Sequence, residues 1–446
     1  MSESGTAVGL TLRRVPWIRV RWKIFLLTFA FGVMAYVQQK SITVAAYRMM
    51  PDLGFTQMQI GWLETAFLAG YTVMQFPGGI LGQRLGARRM FTVIGLVSFA
   101  ATLVTPVAPA LLVGSALFAA LIAAQLLLGA SQGPLFPVIT GLYQPWFPQR
   151  QWSLVNGLSS MCLGLGIAIT APLIATLMTV FDWRRALLYS TLPALALIAV
   201  WAWYARNSPD EHPRVSAVEL EELGAQSRAP AAAISWRGVW NVLRNRDVLT
   251  LAVSYLCMNY VFYLLANWCF LYLVQERHFT VLESGGLASV PPLAAALGAG
   301  IGGKIGDVLT SRHGVRRGLR TLPLLSLPTA AVLLMISVQA ANAALAIVAM
   351  VLCFAAIELN EGPYWSAIMH VGGRDTMSAG GVLNTGGNAG GLIATPIIAY
   401  LSGQQAWTPA FMIGAALAVL AAVLWLFVDP TRRIASSISA GSDRLG

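Results

Sequence analysis

Charged side chains are scarce in this chain. Only 11% of its 446 residues are charged, whereas 57% are hydrophobic. A soluble chain of this length would form about three domains of average size, and so few charges could not cover their surfaces. The composition therefore excludes several soluble domains. It indicates a membrane protein, because each spanning helix needs roughly 20 apolar residues.

Cysteine and histidine are also rare, with four residues of each. All four cysteines fall within apolar stretches, and their spacing forms neither a disulfide framework nor a CxxC metal pair. We therefore predict no metal site and no cofactor. The chain has no HExxH motif and no recognisable set of nucleophile, base and acid. We expect that it is not an enzyme; a membrane-embedded enzyme and a receptor-like binding protein stay minor alternatives.

Twelve apolar stretches follow one another along the chain, and they predict an all-α integral membrane protein with 12 transmembrane helices. The stretches are 22–46, 58–81, 89–106, 110–143, 153–181, 186–205, 248–275, 284–306, 321–339, 342–370, 376–403 and 407–428. The longest polar segment divides them into six and six. The predicted parts are an N-terminal tail at 1–21, a bundle at 22–205, a linker at 206–247, a bundle at 248–428 and a C-terminal tail at 429–446.

The linker contains one local signal for secondary structure. Ser216 precedes Glu219 by three residues, which is the spacing of a capping box at the start of a helix. A short surface helix and a disordered linker both remain open at this point.

The formal net charge of +11 is unevenly distributed. Of the 29 lysines and arginines, 24 lie in or beside the N-terminal tail and every second connection, four lie in the alternate connections, and Lys40 lies within the first span. The positive-inside rule then places both termini in the cytoplasm. Since the basic surplus is an orientation signal, we expect a lipid bilayer and no nucleic acid as a partner.

The two halves of the chain repeat one another. Gly79 in the segment GGILGQ and Gly303 in the segment GGKIGD correspond at an offset of 224 residues. The same offset relates Gly157 to Gly381, Gly166 to Gly390 and Pro172 to Pro396. QGPLFP at 132–137 and EGPYWS at 361–366 correspond at an offset of 229. Repeated six-helix halves place a solute site between them, near the membrane midplane.

The segment GWLETAFLAGYTVMQFPGGILGQRLGARR at 61–89 resembles the second helix and the following loop of the major facilitator superfamily, whose signature is G-x-x-x-D-R-x-G-R-R. QGPLFP, WFP at 146–148, Trp183-Arg184 and EHPRVS at 211–216 are similar to its anion:cation symporter branch, which contains sugar-acid and organic-anion transporters. The resemblance covers residues 22–430 and implies the major facilitator fold, with two pseudo-symmetric six-helix bundles and alternating access.

The loop after the second stretch carries candidate gating residues. Its glycines would let helices two and eleven approach closely, and its arginines could pair across the seam between the halves. Gln83 stands where the family carries an aspartate. Alternatively, the arginines only set the topology. The gating residues are Gly79, Gln83, Arg84, Gly86, Arg88 and Arg89, with Asp307 in the second half.

Ionisable residues are rare within the predicted spans, where each costs at least ~2.5 kcal/mol. The resemblance implies an aspartate-arginine pair in helix one, and an arginine and a glutamate in helix four. These four positions are occupied by Gln38, Gln39, Gln125 and Gln132. Glutamine offers hydrogen-bonding groups but carries no proton. The first half therefore lacks the proton site and the carboxylate-binding arginine that the resemblance implies.

Glu64, Glu358 and Glu361 are the candidates for proton coupling. Glu361 is the repeat counterpart of Gln132, as though the titratable group had moved from helix four to helix ten. Glu358 lies three residues earlier on the same helical face, and two carboxylates this close repel one another, which favours a bound proton on one of them. Alternatively, one of them pairs permanently with Lys40. Glu64 faces either the cavity or a helix seam.

The predicted substrate site combines one cation with hydroxyl and amide groups. Lys40 could meet a substrate carboxylate as a point charge, without the planar fork of arginine; snorkelling to the interface is its alternative. Helix seven, expected to be broken, adds groups that suit a polyol or a hydroxy acid. The predicted residues are Tyr36, Gln39, Lys40, Gln132, Asn259, Tyr260, Tyr263, Asn267, Tyr364, Asn384 and Asn388.

We therefore expect a secondary active transporter that moves a small polar organic solute, a carboxylate such as a sugar acid, across a bacterial inner membrane. A proton or ion gradient would drive it through the helix-ten glutamates, and we expect it to act as a monomer. Two alternatives remain open. One is an uncoupled facilitator or exchanger, and the other is a proton-driven efflux antiporter of a cationic or zwitterionic solute.

Overall fold

A computed structural model describes residues 19–224, 236–277 and 290–434 of the chain. These residues are mostly helical. Four segments named in the sequence analysis lie outside the described residues: 1–18 and 435–446 of the predicted tails, 225–235 of the linker, and 278–289, which contains the start of the eighth predicted span.

The first half is built from α1 to α8. Their bounds are α1 (Val20–Leu53), α2 (Gln57–Leu85), α3 (Ala87–Val107), α4 (Gly114–Gln132), α5 (Leu135–Trp146), α6 (Trp152–Val180), α7 (Trp183–Thr191) and α8 (Pro193–Tyr204). The predicted span 110–143 is interrupted at Gly133 and Pro134, because proline has no N–H to continue the helix. Helix α1 extends beyond its predicted end at residue 46.

The linker and the second half contribute α9 to α16. Their bounds are α9 (Ala217–Leu223), α10 (Trp236–Arg244), α11 (Arg246–Gln275), α12 (Val290–Gln339), α13 (Ala343–Glu358), α14 (Glu361–Gly372), α15 (Thr376–Gly403) and α16 (Trp407–Trp425). Within α12, Gly314 has a φ of 77°, and this left-handed conformation marks the meeting of two helices. Helix α11 is continuous, so the expectation that helix seven is broken is wrong.

Nine stretches of the described residues are long and apolar enough to cross a membrane. Two of them, Val290–Gln339 and Ala343–Gly403, contain 50 and 61 residues. Each of these two exceeds twice the roughly 20 residues that one crossing needs. The chain is therefore an all-helical, multi-pass integral membrane protein.

The break between α13 and α14 lies beside the two glutamates of the predicted helix ten. Asn360 in the break donates its amide hydrogens to the carbonyl oxygens of Ala356 and Ile357, at 3.1 and 2.9 Å, and it accepts a hydrogen bond from Ser326 at 2.9 Å. The backbone N–H of Asn360 also donates to the Ile357 carbonyl oxygen at 3.1 Å, so the side chain of Asn360 mainly provides a donor for the Ala356 carbonyl group, which a membrane interior would otherwise leave unpaired. Glu358 is therefore the last residue of α13, and Glu361 is the first residue of α14.

Glycines bring the two halves into contact at two equivalent places. A Cβ at Gly79 would lie 2.3 Å from the carbonyl oxygen of Met377, and a Cβ at Gly303 would lie 2.5 Å from that of Ser153. Ser153 and Met377 are also separated by 224 residues, so the sequence repeat maps one contact onto the other. Helices α2 and α15 approach as closely as the glycines predicted, and α12 and α6 do the same on the other side.

The linker helix α9 is docked on α1. Ser216 accepts a hydrogen bond from the N–H of Glu219, so of the two alternatives for the linker the short helix is the one present. The carboxylate of Glu219 accepts hydrogen bonds from the N–H groups of Val20 and Arg21, at 3.3 and 3.1 Å. These N–H groups lie in the first turn of α1, where no intrahelical partner exists.

Glu222 adds charge pairing to the same contact. Its carboxylate forms ion pairs with Arg19 and Arg21. The hydrogen bond from Arg19, together with the two positive charges, holds the pKa of Glu222 below its usual range. This carboxylate is therefore ionised at neutral pH and ties the linker to the first half.

We expect Gly129→Ala to lower the melting temperature of the purified protein. A Cβ at Gly129 would lie 1.9 Å from the carbonyl oxygen of Phe67, so α2 and α4 would have to separate at a cost of about 1–3 kcal/mol. Gly61→Ala is the matched control, because a Cβ there meets nothing within 4 Å. Thermal unfolding in detergent measures both variants, and equal melting temperatures would contradict this helix contact.

Candidate functional site

A cavity of about 400 Å³ lies between the two halves. Its walls come from α1, α2 and α4 to α6 of the first half and from α11 to α15 of the second half. This volume falls within the roughly 300–1,000 Å³ that is typical of small-molecule sites. The cavity lies where the repeat predicted a solute site, at the interface of the two bundles.

Most of the predicted substrate residues line this cavity. They are Tyr36, Gln39, Lys40, Gln132, Asn259, Tyr263, Asn267, Asn384 and Asn388. Tyr260 and Tyr364 are not among the lining residues, and both are packed in the hydrophobic core of the second half. Tyr260 follows Asn259 directly, so its side chain leaves the helix about 100° away from that of Asn259. The structure therefore corrects the placement of these two tyrosines.

Two of the three predicted coupling residues also line the cavity. They are Glu358 and Glu361. Glu64 is exposed and accepts a hydrogen bond from Thr43 at 2.8 Å, and it is not part of the lining. Within the described ranges, no group of three histidine, cysteine or acidic residues is placed to hold a metal ion.

Glu361 accepts hydrogen bonds from three side chains. The donors are the Tyr255 hydroxyl at 2.8 Å, the Trp365 indole N–H at 3.1 Å and the Ser160 hydroxyl at 3.1 Å. Tyr255 and Trp365 belong to the second half, whereas Ser160 belongs to α6 of the first half. The carboxylate of Glu361 therefore joins the two halves across the cavity.

Glu358 and Lys40 differ from Glu361 because neither has a hydrogen-bond or ion-pair partner among the described residues. The permanent pairing of Lys40 with a glutamate, which the sequence left open, is thus not formed in this part of the chain. Lys40 is also the one lysine or arginine among the described residues that line the cavity. An unpaired ammonium group that faces a cavity can bind an anion.

Two of the four glutamines that replace charged positions, Gln38 and Gln132, form a neutral network. The Gln132 amide donates to the Gln38 carbonyl oxygen at 3.2 Å, and the Gln38 amide donates to the Thr191 hydroxyl at 3.1 Å. This network joins α1, α4 and α7. No titratable side chain takes part in it, so hydrogen bonds replace the charges that the resemblance implied at these positions.

Gln83 and Asp307 lie at the same end of the two halves, which we call the gate end. Gln83 closes one side of this end. The Gln83 amide donates to the Asp375 carboxylate at 2.7 Å and to the Arg374 carbonyl oxygen at 2.9 Å. Its carbonyl oxygen accepts a hydrogen bond from Ser378 at 2.8 Å. These bonds link α2 to the start of α15.

Asp307 closes the equivalent side of the gate end. Its carboxylate accepts hydrogen bonds from the N–H groups of Ser153 and Leu154, at 3.0 and 3.1 Å. These N–H groups lie in the first turn of α6, where the positive end of the helix dipole favours a carboxylate. The two sides of the gate end are therefore closed by different chemistry, an amide on one side and a carboxylate on the other.

The arginines of the same loop do not cross the seam. Arg88 donates to the carbonyl oxygen of Ala202 at 3.2 Å, within the first half. Arg84 and Arg89 are exposed and have no hydrogen-bond or ion-pair partner in the described part of the chain. The expectation of arginine pairs across the seam is therefore wrong for this conformation, in which Gln83 makes the contact.

Sequence reasoning missed Ser160, Tyr255 and Trp365. Tyr255 precedes Asn259 by four residues, the same spacing that relates Asn259 to Tyr263, and Trp365 follows Glu361 by four residues. Ser160 corresponds to Asn384 at the repeat offset of 224. Helical periodicity could therefore have indicated Tyr255 and Trp365, and the repeat could have indicated Ser160.

Comparison with known proteins agrees with this architecture. Residues 24–379 match the family model of the Major Facilitator Superfamily. The chain belongs to this superfamily. Its members are transporters, which confirms that the protein is not an enzyme.

Two relatives match nearly the whole chain. A probable sulfoacetate transporter of Cupriavidus necator is 28% identical over 400 residues, covering 89% of this chain and 91% of the relative. A hexuronate transporter of Bacillus subtilis is 26% identical over 416 residues, covering 91% of this chain and 94% of the relative. These relatives confirm the resemblance to organic-anion transporters.

Solved structures confirm the fold. The proton:xylose symporter XylE, bound to 6-bromo-6-deoxy-D-glucose, superposes with a TM-score of 0.74 at 12% identity. The alignment covers 93% of this chain and 97% of that chain. At this level of identity the likeness concerns the fold alone.

We expect Gln83→Asp to open the gate end, because two carboxylates would then face one another at the position where Gln83 now donates to Asp375. The reporter is a cysteine at Met377, which packs against Gly82 and Gly141 at the seam. Its alkylation rate should rise several-fold, while the four native cysteines are buried. Arg84→Gln is the matched control and should leave the rate unchanged; equal rates in all variants would contradict gating by Gln83.

Proposed function

We propose that this protein is a secondary active transporter that moves a small organic anion, a carboxylate such as a sugar acid, by alternating access. The observation that carries the proposal is the unpaired Lys40 at a cavity between two halves whose gate end is closed. The similarity to a hexuronate transporter, whose solute carries one carboxylate, supports an organic anion of this kind as the solute.

The topology of this proposal has twelve crossings. Nine apolar stretches are found in the described residues. Val290–Gln339 and Ala343–Gly403 are each long enough for two crossings, and α2 adds one more, which gives twelve. The distribution of lysine and arginine places both termini, and therefore the gate end, in the cytoplasm. The cavity then faces away from the cytoplasm. We propose that the protein acts as a monomer in a bacterial inner membrane.

The charges of the cavity favour a solute with a single negative charge. Lys40 can compensate one carboxylate, and the described lining contains no second lysine or arginine. The second charge of a dianion would face Glu358 and Glu361 without compensation, and like charges in a poorly hydrated site repel strongly. Hydroxyl and amide groups at Tyr263 and Asn267 suit the hydroxyls of a sugar acid.

Coupling to protons would operate through the helix-ten glutamates. Both acids line the cavity that the solute would enter, and a proton bound there would reduce the negative charge that an anion meets. The neutral glutamine network of the first half offers no other proton carrier at the positions implied by the family.

A cationic solute is the second candidate, because two carboxylates outnumber one lysine in the lining. Proton-driven efflux would then exchange protons on the glutamates for the cation. A ligand screen that returned amines and no organic acids would favour this candidate.

We expect anion binding to depend on Lys40. A thermal-shift screen with glucuronate, as a singly charged sugar acid, and galactarate, as a doubly charged one, should show stabilisation mainly by glucuronate, because a ligand that binds the folded state stabilises it by mass action. Lys40→Ala should weaken binding at least tenfold and Lys40→Arg less. Glu64→Gln is the control outside the cavity and should bind like the unchanged protein. Binding unaffected in Lys40→Ala would contradict the proposed anion site.

We expect a proton gradient to drive glucuronate accumulation in proteoliposomes, since both glutamates lie where the solute binds. The double variant Glu358→Gln, Glu361→Gln should lose gradient-driven uptake. Uptake that continues after the gradient is collapsed would identify a facilitator, and gradient-driven uptake in the double variant would exclude the helix-ten acids as the coupling site.

A further inference from the structure

Building on the proposed function, we propose that the two glutamates have separate tasks. Glu358 binds and releases the proton, whereas Glu361 stays ionised and fastens the two halves together through Ser160. Ser160 is thus a positioning residue of the coupling mechanism, acting through Glu361.

The surroundings of Glu361 favour its ionised form. Tyr255 and Trp365 place a hydroxyl and an indole N–H on the carboxylate, and Ser160 adds a second hydroxyl. Hydrogen bonds donated to a carboxylate stabilise its charge, and an indole nitrogen can only donate. A proton added to Glu361 would compete with these donors.

Glu358 has the opposite surroundings. It is 7% exposed, and no described residue donates a hydrogen bond to it or forms an ion pair with it. A buried carboxylate without donors is costly as an anion, and it lies in the same cavity as the ionised Glu361. The proton therefore belongs on Glu358.

The other ionisable groups of the cavity do not change this division. Lys40 and Tyr36 on α1, Tyr71 on α2, and Tyr255 and Tyr263 on α11 are the remaining ionisable side chains of the described lining. Lys40 makes no ion pair with either glutamate. The tyrosines are neutral near pH 7, since the unperturbed pKa of tyrosine is about 10.

The bond from Ser160 to Glu361 has no counterpart on the other side of the cavity. The repeat relates Glu361 to Gln132 and Ser160 to Asn384. Gln132 donates to Gln38 within its own half, and no hydrogen bond joins it to Asn384 in the described residues. At the cavity, the contact between Ser160 and Glu361 therefore has no repeat-related equivalent among the described residues, so it does not follow from the symmetry.

The division gives each acid a different part in alternating access. A proton on Glu358 reduces the cavity's negative charge while Glu361 keeps its hydrogen bonds. When the halves rock, Ser160 and Glu361 must separate, because they lie on opposite halves. The permanent charge on Glu361 then makes this contact a barrier that the loaded transporter has to cross.

Infrared spectroscopy of the full-length protein in lipid nanodiscs tests the proton carrier without a known substrate. The C=O stretching band of a protonated carboxylic acid should be present in the unchanged protein and decrease as the pH rises. Glu358→Gln should remove this component, and Glu361→Gln and Glu64→Gln should keep it. Loss in Glu361→Gln together with retention in Glu358→Gln would overturn the assignment, as would the absence of a titrating band in the unchanged protein.

The uptake assay separates this inference from the proposed function. If glucuronate uptake is gradient-driven but the titrating band belongs to Glu361, the division of tasks is wrong while the transporter proposal stands. If the band belongs to Glu358 but no organic anion is bound or moved, the proposed function fails while the proton site remains.

The role of Ser160 is tested with the alkylation rate of a cysteine at Met377. Ser160→Ala removes the donor that crosses the halves, so the rate should rise several-fold, and Ser160→Thr should restore it because threonine keeps the hydroxyl. Tyr255→Phe is the matched control, since it removes a donor to the same carboxylate from within the second half and should leave the rate nearly unchanged. Equal effects of Ser160→Ala and Tyr255→Phe would overturn the fastening.

Discussion

The free-energy cost of placing polar and charged groups inside a membrane constrains the whole structure. In the hydrocarbon region, each polar group must find a partner in the protein or face a wet cavity. The side chain of Asn360 donates to the carbonyl group of Ala356 at the break in helix ten, and three donors surround Glu361. Lys40 and Glu358 lack such partners among the described residues, and both line the cavity. The cavity is therefore the place where these two ionisable groups without partners are found.

The two halves have repeat-related backbone contacts, but their side chains at equivalent positions differ. Glycine contacts at the gate end are related by the repeat, as Gly79 with Met377 and Gly303 with Ser153 show. The side chains at equivalent positions have diverged, because Gln132 corresponds to Glu361 and Gln83 to Asp307. The packing at the gate end is thus alike in the two halves, whereas Lys40 of the cavity lining belongs to the first half and both acids belong to the second half.

Much of the site could be predicted from periodicity and resemblance. Helical spacing paired Asn259 with Tyr263 and Tyr260 with Asn267, and all of these except Tyr260 line the cavity. It failed for Tyr260, because one residue along a helix turns the side chain about 100° and periodicity does not say which face meets the cavity. It also missed the break in helix ten, where Asn360 accepts a hydrogen bond from Ser326 of a distant part of the chain.

The sequence by itself determined that the chain spans a membrane, that it is built from a repeat, and which residues are ionisable within the spans, because these properties depend on composition and local order. Only the tertiary structure decided which of those residues have partners. Ser160 and Glu361 are 201 positions apart, and no local pattern relates them. Hydrogen bonds across the seam depend on how whole helices pack, so the different surroundings of Glu358 and Glu361 are a property of the fold.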